Sequence, residues 1–115
     1  MTAYYEQLPV YRQSLDLTVW TEEAVRSFPR YHKYTIGSEL RNTSREITLL
    51  VAAANTKKNR KEILLRARNK IEELKLLIRV CMELKIFRSF RSYEHAIRQI
   101  AGIARQTEGW LNRSS

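Results

Sequence analysis

The sequence is poor in the residues that interrupt regular structure, with three glycines and two prolines among 115 residues. It also has one cysteine, Cys81, which excludes a disulfide within the chain. Long stretches are rich in Leu, Ile, Ala, Arg, Lys and Glu, a composition typical of α-helix. A chain of this length buries one modest core, so we predict a single all-α domain over residues 1–115.

The sequence has no run of about 18 uncharged apolar residues, which excludes a conventional transmembrane helix. Its first residues, MTAYYEQLPVYRQ, lack the basic and apolar regions of a secretion signal. We therefore expect a cytoplasmic protein with no membrane partner. Binding to a membrane surface is also disfavoured, because outside the expected oligomer contact no exposed face of Trp, Phe and Leu accompanies the basic residues.

No pattern of chemically active residues indicates catalysis. His32 and His95 are far apart and have no cysteine or acidic companion at ligand spacing, which disfavours a metal site. The sequence also lacks a glycine-rich phosphate loop, a recognisable pair of carboxylates and a Ser–His motif. Cys81 lies in LIRVCMELKIF, where a small buried residue fits, and its pairing with His95 is the strongest catalytic alternative. We predict no catalytic residue, no metal, no cofactor and no enzymatic activity.

Apolar residues recur every three or four positions in four segments, which predicts helices at about 8–27, 35–54, 57–87 and 92–111. The connections are short, and short connections make neighbouring helices antiparallel. The predicted architecture is an up-down-up-down antiparallel four-helix bundle. Two candidate N-cap residues, each followed by an acid within the first helical turn, are Thr35 and Ser92.

The connection FPRYHKYTIG, from Phe28 to Gly37, is open to two interpretations, a recognition loop or a hinge between helices. The hinge is favoured. Pro29 stops the first helix, since the residue before a proline leaves the helical region. Tyr34 and Ile36 are expected to staple the entry of the second helix, and Gly37 to allow close approach of another element. The weak candidates for added positive charge at this end are Arg30, His32 and Lys33.

The excess of positive charge falls in one half of the sequence. Residues 1–55 carry six Lys/Arg and six Asp/Glu, whereas residues 56–115 carry fifteen and six. On a helical projection, basic residues of the third segment fall within roughly 20° of one line, and those of the fourth are one heptad apart. The third-segment stripe consists of Lys57, Lys61, Arg68, Lys75 and Arg79. The fourth-segment row consists of Arg91, Arg98 and Arg105.

Three interpretations of these basic residues stay open. A solvated helix surface accounts for charge but not for its single sign. A phosphate-binding face gives affinity for nucleic acid without sequence reading. An acidic protein surface is the third possible partner. We favour nucleic acid, RNA or DNA, with little sequence preference, although no helix-turn-helix, zinc-finger or RNP motif is present.

A second apolar face lies on the third segment, roughly opposite its main core positions. It is formed by Leu76, Val80, Leu84 and Phe87. A helix that is apolar on two sides is buried on two sides. One side packs in the core of the chain, so the other predicts self-association into a homo-oligomer.

Three markers in a fixed order carry a resemblance to a known family. They are Phe-Pro-x-x-x-x-Tyr-x-x-Gly at 28–37, Ser-Tyr-Glu-His-Ala at 92–96, and Gly-Trp-Leu at 109–111. Nearly the whole sequence resembles the small four-helix-bundle proteins related to those encoded by bacterial ribosomal RNA intervening sequences. Within that group it is similar to the accessory variability determinant (Avd) of diversity-generating retroelements. Residues 53–55 read Ala-Ala-Asn here and depart from the Ala-Glu-Gly usual in the ribosomal branch.

The resemblance implies a ring or barrel-like homopentamer of four-helix bundles. It also implies a retroelement reverse transcriptase as partner and a basic surface that engages nucleic acid, in the cytoplasm of a bacterial or phage-infected host cell. The protein would then be a non-enzymatic accessory factor for mutagenic retrohoming, in which an error-prone copy of a template repeat replaces a variable repeat. The alternative function is a structural or protein–protein interaction bundle without nucleic-acid binding.

Overall fold

The computed structural model describes residues 8–55 and 58–114, and within those ranges every regular element is a helix. The described helices are α1 (Pro9–Arg26), α2 (Arg30–Lys33), α3 (Ile36–Ala53), α4 (Arg60–Glu83) and α5 (Phe90–Arg113). The prediction of an all-α chain with four long helices is confirmed for these residues. The single-turn helix α2 is not among the predicted elements. No helix in the described part of the chain is long and apolar enough to cross a membrane.

The four long helices surround one core, with α3 packed on α1 and α4, and α5 packed on α4 and α1. Small hydroxyl residues let α1 and α3 approach closely, since Thr18 lies 3.0 Å from the Ser44 carbonyl and 2.9 Å from the Thr48 hydroxyl. This arrangement is consistent with a four-helix bundle. The core contains apolar residues from every long helix, among them Leu17, Val25, Ile47, Val51, Ile71, Leu74, Ile78, Ile100 and Ile103.

The connection between α1 and α3, predicted to be a hinge, has a buried residue near each end. Phe28 and Ile36 are buried, as the hinge interpretation requires. Tyr34 is 67% exposed, so the predicted hydrophobic staple is wrong for this residue. The physical reason is that its partner position in α3 is Glu39, which offers no apolar surface. Thr35 occupies the N-cap position but does not cap α3, because its hydroxyl donates instead to the Tyr31 carbonyl at 2.9 Å.

The third long helix ends earlier than predicted, at Glu83 rather than Phe87. Lys85 takes a left-handed φ of 58°, its N–H donates to Met82 at 3.0 Å, and the N–H of Ile86 donates to Cys81 at 3.0 Å. This pair of hydrogen bonds is a Schellman motif. A glycine usually marks that position, and its absence here explains why the sequence did not reveal the break.

The start of α5 also differs from the prediction. The capping residue is Ser89, whose hydroxyl accepts a hydrogen bond from the Ser92 N–H at 3.2 Å. Ser92 therefore lies in the first turn of α5 and does not cap it. The helix begins at Phe90, two residues before the predicted start.

Gly37 lies where α3 passes closest to the end of α1. A Cβ atom at this position would lie 2.7 Å from Val25 Cγ1 and 2.9 Å from the His32 carbonyl oxygen. Both neighbours are held in the core or the backbone, so they cannot move away cheaply. The expected close approach at Gly37 is confirmed.

We expect Gly37→Ala to lower the free energy of unfolding by about 1–3 kcal/mol, the usual cost of overpacking. The matched control is Gly109→Ala within α5, where the added Cβ meets only Arg113 Nη1 at 3.3 Å, the end of a flexible side chain. There the gain in helix propensity, up to about 1 kcal/mol, should leave stability unchanged or raised. Denaturant unfolding followed by circular dichroism measures both, and equal effects at the two glycines would contradict the packing argument.

Candidate functional site

One set of basic residues on α4 lies along the side of the helix that borders α5, whereas Lys70 pairs with Glu46 of α3 at 3.4 Å. We call Lys61, Arg68, Lys75 and Arg79 the α4 stripe; the fifth predicted member, Lys57, lies outside the described residues. Three of the four form ion pairs, with nitrogen–oxygen distances of 3.5 Å from Arg68 to Glu108, 3.0 Å from Lys75 to Glu72 and 3.0 Å from Arg79 to Glu83. The positive charge of the stripe is therefore largely offset by carboxylates beside it.

Arg79 also connects α4 to α5 near the end of the stripe. A hydrogen bond with Tyr93 of α5 raises the pKa of the Arg79 guanidinium, and the Glu83 carboxylate adds to the rise. An arginine is protonated at neutral pH in any case. The Tyr93 hydroxyl therefore does not change the charge of Arg79 at neutral pH, and the shift records that the guanidinium lies near α5.

Three of the four arginines of α5, spaced one heptad apart, have a different environment. Arg91, Arg98 and Arg105 are exposed, and no carboxylate of the described residues lies within ion-pair distance of any of them. We call these three residues the α5 row. One heptad corresponds to about 10.5 Å along the helix axis, so the row presents an even line of unpaired positive charge.

The stripe and the row meet in a groove between α4 and α5, with a volume of about 490 Å³. Arg68 and Lys75 line it from α4, and Arg105 lines it from α5. Thr107 also lines this α4–α5 groove, and its buried hydroxyl has no hydrogen-bond partner among the described residues. The structure thus brings one member of the α5 row beside two members of the α4 stripe, next to a buried hydroxyl without a hydrogen-bond partner among the described residues.

The second apolar face of α4 is exposed over most of its length. Leu76 is 67% exposed, Leu84 51% and Val80 38%. We call these three residues the α4 apolar patch. They follow one another at helical spacing, so they form a continuous strip and not isolated surface residues.

The fourth residue of the predicted oligomer face, Phe87, faces the chain's own core. It is half-buried, and its ring centroid lies 6.2 Å from Trp20, 5.9 Å from Phe28 and 6.4 Å from Tyr93. Because α4 ends at Glu83, Phe87 no longer follows the helical projection that grouped it with Leu84. It anchors the α4–α5 turn within an aromatic cluster.

The structure separates the two residues of the strongest catalytic alternative by environment. Cys81 is fully buried in the core, and burial raises the pKa of its thiol to about 12. His95 is exposed and packs its ring 5.2 Å from the Trp20 ring. A thiol in this environment stays protonated at neutral pH and is a poor nucleophile.

We expect folded protein to react with a thiol reagent such as dithionitrobenzoate only through unfolding. The thiolate of the unfolded chain forms near pH 8.5 and that of the folded chain near pH 12, so unfolding releases a proton between these values. The free energy of unfolding should therefore fall with rising pH more steeply for the native sequence than for Cys81→Ala above pH 9. Parallel slopes for the two proteins, or fast labelling under native conditions, would show that the thiol is accessible.

Charged residues of the hinge lie on α2, at the end of the molecule where α1 ends. Arg30 is exposed and His32 and Lys33 are half-buried. Tyr31 beside them is 75% exposed and packs its ring edge-on to His32 at 5.2 Å. The structure does not bring these residues into the α4–α5 groove.

Residues 10–114 match the sequence model of one protein family, described as bAvd-like. The chain belongs to the bAvd-like family. The suspected relation to Avd is thereby confirmed, and the family supports a role as an accessory protein of a diversity-generating retroelement. No curated protein sequence matches this chain.

In this bAvd-like protein, helical periodicity located the basic residues correctly but missed how they are paired. The Arg68–Glu108 pair joins residues 40 positions apart, and the Thr107 hydroxyl is one of many polar groups in the sequence. Glu72 and Glu83 lie three and four residues from stripe members, so these two partners within α4 are visible as potential pairs in the sequence. No pattern in the sequence distinguishes the unpaired α5 row from the ion-paired α4 stripe.

Proposed function

We propose that this bAvd-like protein is a non-enzymatic accessory factor of a diversity-generating retroelement in a bacterial or phage-infected cytoplasm. In this proposal it binds nucleic acid, with little sequence preference, and a retroelement reverse transcriptase, and it supports mutagenic retrohoming. Family membership supports the accessory role. The observation that carries the nucleic-acid proposal is the α5 row, whose three exposed arginines have no ion-pair partner among the described residues.

Unpaired arginines are suited to phosphate because the guanidinium donates several hydrogen bonds in a fixed plane. An arginine already held by a carboxylate must give up that contact before it binds phosphate. The α5 row therefore supplies the main phosphate contacts in our proposal. Its neighbours in the α4–α5 groove, Arg68 and Lys75, add further contacts when their carboxylates are displaced.

The α4 stripe suits a protein partner better than the α5 row does. Its cations alternate with Glu72, Glu83 and Glu108, so the surface offers charges of both signs in a defined order. Complementary charge patterns favour a specific protein over a uniform polyanion. We assign contact with the reverse transcriptase to this stripe.

We infer an up-down-up-down arrangement from the contacts between helices. Along α1, Gln13 contacts Gln106 of α5, and Trp20 contacts His95 earlier in α5. Along α4, Arg68 contacts Glu108, and Arg79 contacts Tyr93. In each pair of helices the residue numbers of the contacts rise along one helix and fall along the other, which is the signature of antiparallel neighbours.

The same proposal includes self-association through the α4 apolar patch. Leu76, Val80 and Leu84 lie on the side of α4 away from the core, and a second copy of the chain would cover them. The pentamer comes from the family resemblance. In a closed ring the patch would pack against a different surface of the next copy, since five identical subunits require heterologous contacts.

Titration with labelled single- and double-stranded oligonucleotides tests the proposed binding. Phosphate contacts release counterions, so the logarithm of the affinity should fall linearly with the logarithm of salt concentration, and several unrelated sequences should bind alike. Absence of binding at low salt would favour the alternative function, a structural or protein–protein interaction bundle. Co-purification with the reverse transcriptase then decides whether that partner is bound without nucleic acid.

A further inference from the structure

The end of the molecule at which α1 begins and α5 ends contains a cavity of about 540 Å³. This volume lies within the range of roughly 300–1,000 Å³ that is typical of small-ligand sites. No acidic side chain of the described residues lines it. The polar and aromatic groups that do line this α1–α5 cavity are Asn55, Arg60, Arg105, Gln106, Trp110 and Arg113.

One wall of the α1–α5 cavity is fixed in place. Arg60 donates from Nε to the Ala54 carbonyl at 2.9 Å and from Nη2 to the Asn55 carbonyl at 3.0 Å. Its guanidinium carbon lies 5.5 Å from the centroid of the Trp110 ring. Arg60 thus closes the end of α3 and holds the indole, so both planar groups are positioned before any ligand binds.

The other two arginines are available to a ligand. Arg105 and Arg113 are exposed, and neither has an ion-pair partner among the described residues. The Arg113 guanidinium lies over Gly109, where an added Cβ would be 3.3 Å from Nη1, so the glycine leaves room for it beside the cavity. Arg105 lines both this cavity and the α4–α5 groove, so the two features lie next to each other.

We propose that the α1–α5 cavity takes one unpaired nucleotide of a single-stranded nucleic acid, its phosphate on Arg105 and Arg113 and its base against Trp110. The proposal rests on the proposed nucleic-acid binding and adds to it a preference for single strands. Aromatic side chains beside positive charge are the usual platform for unpaired bases. An acidic peptide would satisfy the arginines equally well but has no planar group for the indole, and a duplex keeps its bases stacked inside.

The test uses Trp20→Phe, which leaves Trp110 as the only tryptophan of the chain. Indole emission reports the cavity, and anisotropy of a labelled oligonucleotide reports total binding. A single-stranded oligonucleotide should quench Trp110, whereas a duplex and an abasic strand of equal length should bind with much weaker quenching. Arg113→Ala should weaken single-strand binding about tenfold or more, the usual loss for a charge-assisted hydrogen bond. The matched control is Arg26→Ala, an exposed arginine in the last turn of α1, which should change little.

Four results would overturn the proposal, and they separate it from the proposed function. If oligonucleotides bind without quenching Trp110, and Arg113→Ala has no effect, the proposed function stands but the cavity is not part of the binding site. Equal quenching by the abasic strand would exclude base insertion. Quenching by polyglutamate, with competition against the oligonucleotide at equal charge, would assign the cavity to an acidic protein segment. Failure of every oligonucleotide to bind would reject both proposals.

Discussion

Replacing the whole α5 row, Arg91, Arg98 and Arg105, by alanine is expected to abolish nucleic-acid binding at physiological salt. Each lost phosphate contact should reduce the slope of log affinity against log salt by about one unit. In an oligomer the loss repeats in every copy, so a ligand that spans several copies loses contacts in each of them. Folding should be unaffected, because these exposed arginines form no ion pair among the described residues.

The control for this prediction removes equal charge from outside the α5 row and the α4 stripe. Arg26, Arg30 and Arg66, on α1, α2 and α4, are exposed like the α5 row, have no ion-pair partner among the described residues, and are replaced by alanine as a set. Arg41 is avoided because it is half-buried beside Glu22 at 3.1 Å. If this set weakens binding as much as the α5 set does, net charge alone governs affinity and the α5 row is not a site.

A third set, Arg68, Lys75 and Arg79, tests whether α5 binds nucleic acid and α4 binds the reverse transcriptase, as proposed. Their carboxylate partners already hold them, so their removal should weaken nucleic-acid binding less than removal of the α5 row. The same set should weaken capture of the reverse transcriptase more. The reverse pattern would exchange the roles proposed for α4 and α5.

Leu76→Glu and Leu84→Glu are each expected to dissociate the oligomer. Light scattering after size exclusion should give about five times the 13.6 kDa chain mass for the native sequence, and a smaller mass for each variant. A buried glutamate without a partner costs several kcal/mol, and a ring repeats that cost at every contact. The helical content of the separated chains should not change, because both leucines lie outside the core.

Val19→Glu is the matched control for this second prediction. Val19 is 52% exposed, comparable to Leu84, but it lies on α1, which packs mainly against α3 and α5. Its substitution should leave the oligomer mass unchanged. A well-folded monomer of the native sequence at micromolar concentration would refute the proposed interface outright.

Helix positions were predictable because period and composition act locally. Apolar residues at three- and four-residue spacing, with few glycines and prolines, indicated the four long helices and most of their core residues. The errors fell at the ends. Lys85 adopts a left-handed conformation that favours glycine, and Ser89 caps α5 in place of Ser92. Where α4 ends and α5 begins depends on how the residues between them pack against the core. The burial of Ile86 next to this turn illustrates that packing.

Sequence by itself determined the helical class, the family and the two lines of basic residues, because each is a pattern of residue types along the chain. Tertiary structure alone decided the pairing of Arg68, since Glu108 reaches it only when α5 lies beside α4. Tertiary structure also directs the Phe87 side chain toward the core of the chain. It places Arg105 between the α4–α5 groove and the α1–α5 cavity. The Arg68–Glu108 pair and the surroundings of Phe87 and Arg105 depend on neighbours distant in sequence, whereas the Lys75–Glu72 and Arg79–Glu83 pairs lie within α4 itself.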